Sequence, residues 1–331
     1  MNRNTESVAV GLDVGTSRVV AARRTESGYA FESQLNAFVH VPYSKITENA
    51  LRKEGVPYSV EDGRMVVHGN ESEKFADLLN TEVRRPMKNG LLNAAEPDSL
   101  KLIRQIISCV AGAGGEGRRL CFTIPAAPLG AEENLTYHEA SLRQALTELG
   151  YDVRSINEGL AVIYGELEDS NYTGIGVSCG GGLCNVCLAY LSVPVASFSV
   201  SKAGDYIDSS AASVTGELAN RIRILKEQTF YLNGSSGDKI QQVLGVYYDE
   251  MIHSVVIGMK QALAASRAVP KLGRPIPLVL SGGTAMPKGF RDRFEKILGE
   301  SDFPIPVSEV RLAADPLNTT AKGALIAALS D

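Results

Sequence analysis

The sequence predicts an α/β protein made of two similar halves, each with a smaller subdomain inserted. Three observations predict it. A strand–turn–strand near the start, VAVGLDVGTSRVVAAR, has an imperfect copy beginning at Gly174, GIGVSCGGGLCNVCLAY, in which Gly11, Asp13 and Gly15 fall on Gly176, Ser178 and Gly180 at a constant offset of 165. After each copy, short apolar runs alternate with stretches of helical periodicity. The 331 residues are room for two domains of about 150.

Residues 8–14, VAVGLDV, form a short apolar run that ends at a glycine turn, and SRVVAARR resumes after it, so strand, tight turn and strand follow. TGIGVSC, GGG and LCNVCLAY repeat the pattern. Further strand-like sequence follows each hairpin, YAFESQL in one half and VASFSVSK in the other. Apolar residues at helical spacing predict helices over 99–112, 137–150, 249–268 and 290–299, with strands at 118–127 and 276–283 between them. Residues 37–85, which include the charged, helix-like NESEKFADLLN, read as a subdomain inserted in the first half; 204–268, mostly helical, is its counterpart. The division that follows is 1–171 for the first domain, joined by a C-terminal helix over 316–331, and 172–315 for the second.

Composition excludes several classes. The chain is 44% hydrophobic and 21% charged with no biased tract, which excludes a disordered or fibrous protein. A net charge of −5 argues against a broad nucleic-acid footprint. MNRNTESVAV lacks the charged-then-apolar order of a signal peptide, and no apolar run reaches the ~20 residues of a membrane span. Five cysteines, an odd number, fit a reducing cytosol, so the expected location is cytoplasmic. Cys179, Cys184 and Cys187 crowd into nine residues. As metal ligands they lack a fourth partner nearby, and small residues suited to a packed strand are the better account.

The chemistry points to the turns. Glycines there let backbone approach a ligand, and successive N–H groups form an anion-binding concavity. In DVGTS, Asp13 is a carboxylate suited to holding Mg²⁺ through water, and Thr16 and Ser17 add hydroxyls for phosphate. Gly180, Gly181 and Gly182 supply backbone donors in the copy. A third glycine turn, LVLSGGTAMPKG, ends a buried strand at Gly282-Gly283. A single turn of this kind is weak evidence, since Asp and Gly favour turns anyway. Three together form a constellation. His138 and Glu139 are read as a charged helix face with no catalytic role.

The order DVGT, IPAA, NEGLAVIYG, CGGG, KAGDYID, SGGTAMPKG and DPLNTTAKGAL resembles the actin-like ATPase superfamily, and within it the bacterial actins of the MreB and MamK kind, from Val8 to Leu329. RRPMKNGLL at 84–92 and the pairing of SKAGDYID with ILKEQTF sharpen the likeness. The resemblance implies an actin-like (ribonuclease H-like) fold with a nucleotide cleft between the halves, ATP or ADP with Mg²⁺ as ligands, and Asp13 as the metal-side carboxylate. It implies that Asp13, Gly15, Thr16 and Ser17 belong to the first phosphate loop and Gly180 to Gly182 to the second. Gly204 and Asp205 would lie near the phosphates, and Gly282, Gly283 and Thr284 on the adenosine side. Lys226 and Glu227 would lie near the adenine, with Arg223 there in an alternative alignment. Glu158 matches the glutamate that orients the attacking water, a general-base role; read from the residues alone it is a helix-start carboxylate favoured by the helix dipole.

Two departures from the pattern matter. The family writes EP where this chain has Glu158-Gly159. It writes D-x-G-G-G-T where this chain has Ser178, Cys179, Gly180, Gly181, Gly182 and Leu183, so the glycines stay while a carboxylate and a hydroxyl are lost. Nucleotide binding is therefore expected to persist and hydrolysis to be slow, because phosphoryl transfer depends on positioned charge and water. Asp205 is a candidate to replace the missing carboxylate.

The resemblance implies a cytoskeletal protein that assembles head to tail into filaments with ATP, organising cell shape or positioning an intracellular structure. The competing expectation is a non-polymerising nucleotide-binding scaffold with a degenerate ATPase site. A chaperone or sugar kinase of the same fold would need a further substrate domain or a base for a hydroxyl, and neither is placed in this sequence. No direct membrane contact is expected, because MNRNTESV is not an amphipathic helix.

Overall fold

The structure, a computed structural model, describes residues 9–330 apart from 62, 116, 130–134, 235–236 and 267–273. Val8 of the first predicted strand, residues 267 and 268 of the predicted long helix, the N-terminal MNRNTESV and Asp331 lie outside the described residues.

β1 (Ala9–Val14) and β2 (Arg18–Thr25) pair antiparallel with Asp13 opposite Val20, and β3 (Gly28–Leu35) extends the meander. The first inserted part follows as β4 (Phe38–Pro42), α1 (Lys45–Lys53), β5 (Tyr58–Glu61), β6 (Arg64–His68) and α2 (Glu71–Leu78), around a three-stranded sheet in the order β4-β6-β5. The chain returns through the small hairpin β7 (Met87–Lys88) and β8 (Leu91–Leu92). This hairpin turns at Asn89-Gly90 with φ of 51° and 76°, the left-handed pair an Asn-Gly turn supplies. α3 (Ser99–Ala111), β9 (Arg119–Ile124), α4 (Leu135–Glu148), β10 (Asp152–Asn157) and α5 (Glu158–Glu166) complete the first half.

The second half repeats the plan with β11 (Gly174–Cys179), β12 (Cys184–Tyr190) and β13 (Val193–Val200), then the helical insertion α6 (Gly204–Thr215), α7 (Ala219–Thr229) and α8 (Lys239–Ala265). β14 (Ile276–Ser281), a 3-10 turn over Gly283–Ala285, α9 (Phe290–Gly299) and β15 (Val307–Leu312) close it, and α10 (Thr319–Leu329) returns to pack on β1, β9 and β2 of the first sheet. The sheet orders are β10-β9-β1-β2-β3 and β13-β12-β11-β14-β15. Numbered within each half, both read 3-2-1-4-5 with the last two strands parallel to the first. The repeat first seen in two hairpins thus extends to both whole sheets.

Three cores hold this frame. One lies between the first sheet and α3 and α4, with Phe122, Ile103, Ile106 and Leu142 at its heart. Another lies between the second sheet and α6, α8 and α9, around Tyr248, Phe290 and Phe294. The central core joins the two sheets through α5 and α10, which are rich in alanine and glycine. Small residues there allow very close backbone approach: a Cβ on Gly323 would stand 1.7 Å from the Ala161 carbonyl oxygen. Cys179 and Cys184 pack in the second core and Cys187 in the central one, as small buried residues.

Three expectations need correction. The long helix begins at Lys239 rather than 249, because the Asp238 side chain caps it by accepting from the Gln241 amide. Gly245 within that helix, a poor helix former, hid the extra turns in the sequence. His138 is not on a charged face but is buried, its Nδ1 accepting from the Leu92 amide at 3.3 Å, and burial pushes its pKa down to about 4. Glu139 alone serves the helix surface, accepting from Arg143 and Ser155. The final helix spans Thr319–Leu329, starting after Pro316 rather than on it. Among the described residues, no helix is long and apolar enough to cross a membrane.

Candidate functional site: the cleft between the halves

The β1–β2 and β11–β12 turns meet and together line a cleft of about 460 Å³, a volume suited to a small-molecule ligand. Repetition of one strand order in both halves produces this, since the same turn is presented twice about the central core. All of the singled-out residues line this one cleft: Asp13, Gly15, Thr16 and Ser17 on one wall; Gly180 to Gly182 opposite; Gly204 and Asp205 at the start of α6; Lys226 and Glu227 on α7; Gly282, Gly283 and Thr284 after β14; and Glu158 at its floor. Arg223 lines it too, so both alignments of the KEQ segment place their residue in the same cavity.

Glycine is required where the turns meet. A Cβ on Gly182 would stand 2.3 Å from Thr16 Oγ1 and 2.6 Å from the Gly90 nitrogen, and Thr16 Oγ1 accepts from that same Gly90 amide at 2.9 Å. Leu183 packs its buried side chain against Gly90, with a hypothetical Cβ there 2.3 Å from Leu183 Cδ1. The second turn is fixed by its own half. The Gly180 carbonyl accepts from Thr284 Oγ1 at 2.8 Å and from the Gly204 amide at 3.1 Å, and the Gly181 carbonyl accepts from the Asp205 amide at 2.7 Å. Gly282, at φ 92° and ψ 156°, takes a positive-φ extended conformation open to glycine, which redirects the chain from β14 into the cleft wall.

Two carboxylic acids share the floor. Thr123 Oγ1 donates to Asp13 at 2.6 Å, and burial pushes the Asp13 pKa up to about 6 against the help of Thr123 and Thr320. Glu158 opens α5 because Asn157 caps that helix, accepting from the Gly159 and Leu160 amides. Its Oε2 accepts from Asn185 Nδ2 at 2.8 Å and from Ser178 Oγ at 3.3 Å. Burial first, and then the charge of Asp13, push its pKa up to about 8. Ser178 thus donates to a carboxyl group, where an aspartate would have brought a third acid into the same enclosure. The Glu158-Gly159 departure also has a steric cause: a side chain at 159 would meet the Cys187 nitrogen at 2.6 Å, because α5 lies directly on the β12 backbone.

Between about pH 4.5 and 8 the folded chain keeps a proton on Glu158 that the unfolded chain releases, so this group makes stability fall as pH rises through that window. In the absence of Mg²⁺ and nucleotide, Glu158→Gln is expected to raise unfolding free energy by about 1–2 kcal/mol at pH 8, with the gain vanishing towards pH 4.5. Urea unfolding across that range measures it. A difference that does not change with pH would show that packing, not the proton, is responsible.

The structure also gathers residues that sequence reasoning missed. Asn185 is fully buried, donates to Glu158, and accepts from the Ala126 amide of the first half at 2.8 Å. A signal existed: it lies opposite Ser178 in the β11–β12 register, where the first copy has Val20 opposite Asp13. Asp205 does not stand free to replace a missing carboxylate, since both its oxygens accept from Arg85, at 2.9 and 3.1 Å. Lys226 is buried, 2.9 Å from Asp208 and 3.2 Å from the Gly204 carbonyl. Gly90 and Asp208, which line the cleft, were likewise absent from the expected site, as was Arg85, which touches it through Asp205.

Known structures share this architecture. The chain is similar to MamK in a double helical filament, with a TM-score of 0.71, 19% identity, and coverage of 97% of this chain and 98% of that one. It is similar to a non-polymerising point mutant of MamK bound to AMPPNP, at TM-score 0.58 and 18% identity, covering 97% and 98%. The ethanolamine utilization protein EutJ from Carboxydothermus hydrogenoformans is a further match, at TM-score 0.55 and 16% identity, covering 96% and 88%. At these identities the likeness shows the fold, which is the actin-like one. Comparison with curated protein sequences gives no match. The family model described as Volactin matches residues 8–328, nearly the whole chain, and the protein belongs to the Volactin family.

Proposed function

We propose that the chain binds ATP with Mg²⁺ in the cleft between its halves, hydrolyses it slowly, and assembles head to tail into filaments. The observation that carries this reading is the convergence of both glycine turns and the Gly282-Gly283 turn on one cavity of about 460 Å³ with Asp13 and Glu158 at its floor. The MamK structures with which it shares a fold include a filament and a form bound to AMPPNP, which supports nucleotide binding and assembly.

In this account the amides of the two turns hold phosphate, and Asp13 is the residue that would hold the metal, which would offset phosphate charge. Glu158 orients water, with Asn185 and Ser178 fixing its carboxyl group. The loss of a carboxylate at 178 slows the reaction, because a group that organises charge in the transition state is typically worth about a hundredfold or more in rate. Ser178→Asp is therefore expected to speed single-turnover ATP hydrolysis by about a hundredfold with Mg²⁺ and not without it. Equal rates for the two chains with Mg²⁺ would remove Ser178 from the explanation.

The second reading, a nucleotide-binding scaffold that does not polymerise, is favoured by one feature, the eroded Ser178–Leu183 loop. It differs in the concentration dependence of assembly, which decides between them.

A further inference from the structure

Two ion pairs cross from the first half to the second on the cleft-facing side of the molecule. Arg223 on α7 pairs with Glu73 on α2, 150 residues away in sequence. Arg85, just before β7, pairs through both oxygens with Asp205 in the first turn of α6, 120 residues away. Asp205 and Arg223 themselves line the cleft.

The packing around these pairs shows what they do. α2 packs on β4 and β6 of its own insertion, and α7 packs on α6 of its own. The Glu73–Arg223 pair therefore bridges two inserted parts whose main contacts lie within their own halves. Arg223 is held for this contact: its Nη2 also donates to Asn220 Oδ1 at 2.9 Å, and only 14% of its side chain is exposed. Arg85 and Asp205 are 23% and 36% exposed, so both pairs are open to solvent ions on one side. Coulomb attraction at partly exposed sites is modest and screened by salt. Such contacts suit a reversible closure better than a permanent weld.

We propose that Glu73–Arg223 and Arg85–Asp205 form a two-rung electrostatic clasp that holds the inserted parts closed over the cleft and slows the exit of whatever it contains. Arg223 is thus a closing residue rather than a reader of the base. That the contents are a nucleotide rests on the function proposed above; the clasp itself does not.

The test separates the two. Spin labels are placed at Asp77→Cys on α2 and Gln228→Cys on α7, both exposed, with the exposed Cys109 changed to serine. Pulsed-resonance distances are measured in the chain without nucleotide, in Arg223→Glu, and in the charge swap Glu73→Arg/Arg223→Glu. The clasp predicts a longer, broader distribution for Arg223→Glu, return towards the original in the swap, and opening of the original chain at high salt. An unchanged distribution in Arg223→Glu, with a circular dichroism melt showing it folded, overturns the proposal. In a second arm a fluorescent ATP analogue is expected to dissociate about fivefold faster from Arg223→Glu than from the original chain, with the swap restoring the rate. An opened cleft with an unaltered dissociation rate also overturns it. Failure of the original chain to take up the analogue would count against the nucleotide reading, while the distances would still decide the clasp.

Discussion

Gly182→Ala is expected to weaken ATP binding by about thirtyfold or more while the chain stays folded. The added methyl would lie 2.3 Å from Thr16 Oγ1, 3.1 Å from Thr16 Cβ and 2.6 Å from the Gly90 nitrogen. Two of these obstacles are backbone or Cβ atoms that no rotamer change moves aside. Relief therefore requires the two turns to separate and Thr16 to give up the Gly90 amide. A ligand that bridges the turns then meets donors spaced for neither side. The neighbouring Gly181→Ala provides the comparison: its methyl would meet Ser17 Oγ at 2.2 Å, but the next Ser17 atom is Cβ at 3.4 Å, so rotation of one hydroxyl relieves it. Calorimetric titration with ATP and Mg²⁺ should find a small loss for Gly181→Ala and a large one for Gly182→Ala. Equal, small losses would show that the contact between turns does not shape the site.

The second large effect concerns stability. Gly323→Ala is expected to cost about 3 kcal/mol or more, because the methyl would lie 1.7 Å from the Ala161 carbonyl oxygen and 2.5 Å from its carbon. α10 would have to move off α5, and those two helices join both sheets in the central core. Gly245→Ala, inside α8 with nothing within 4 Å of its added methyl, should instead stabilise by about 0.5–1 kcal/mol. Urea unfolding of the pair checks both signs at once. A mild effect at 323 would mean that the α5–α10 contact relaxes easily and does not determine how the halves are joined.

Much of the fold was legible because its signals are local. Apolar runs that stop at glycine, followed by helical periodicity, mark elements without reference to the rest of the chain, and the 165-residue offset showed that they recur. The long helix was cut short because Gly245 interrupts the local signal, although Asp238 as a cap overrides it in the folded chain. The site was legible to the extent that it is made of turns. Its remaining members come from long-range pairing: Arg85 meets Asp205, Glu73 meets Arg223, and Asn185 reaches both Glu158 and Ala126. No local pattern marks an arginine as a cross-cleft partner rather than a solvated charge. His138 was misplaced for the same reason, since its neighbour Glu139 made the segment look exposed while Leu92, from a distant hairpin, covers the imidazole.

Nucleotide-gated filament assembly is tested by sedimentation of the purified chain without nucleotide, with ADP, with ATP and with a non-hydrolysable ATP analogue, over a range of protein concentrations. Pelleting is expected above a threshold concentration with ATP and equally with the analogue, because binding rather than hydrolysis sets the arrangement of the halves. Absence of pelleting under every condition, with nucleotide bound, would contradict filament assembly and leave the non-polymerising scaffold.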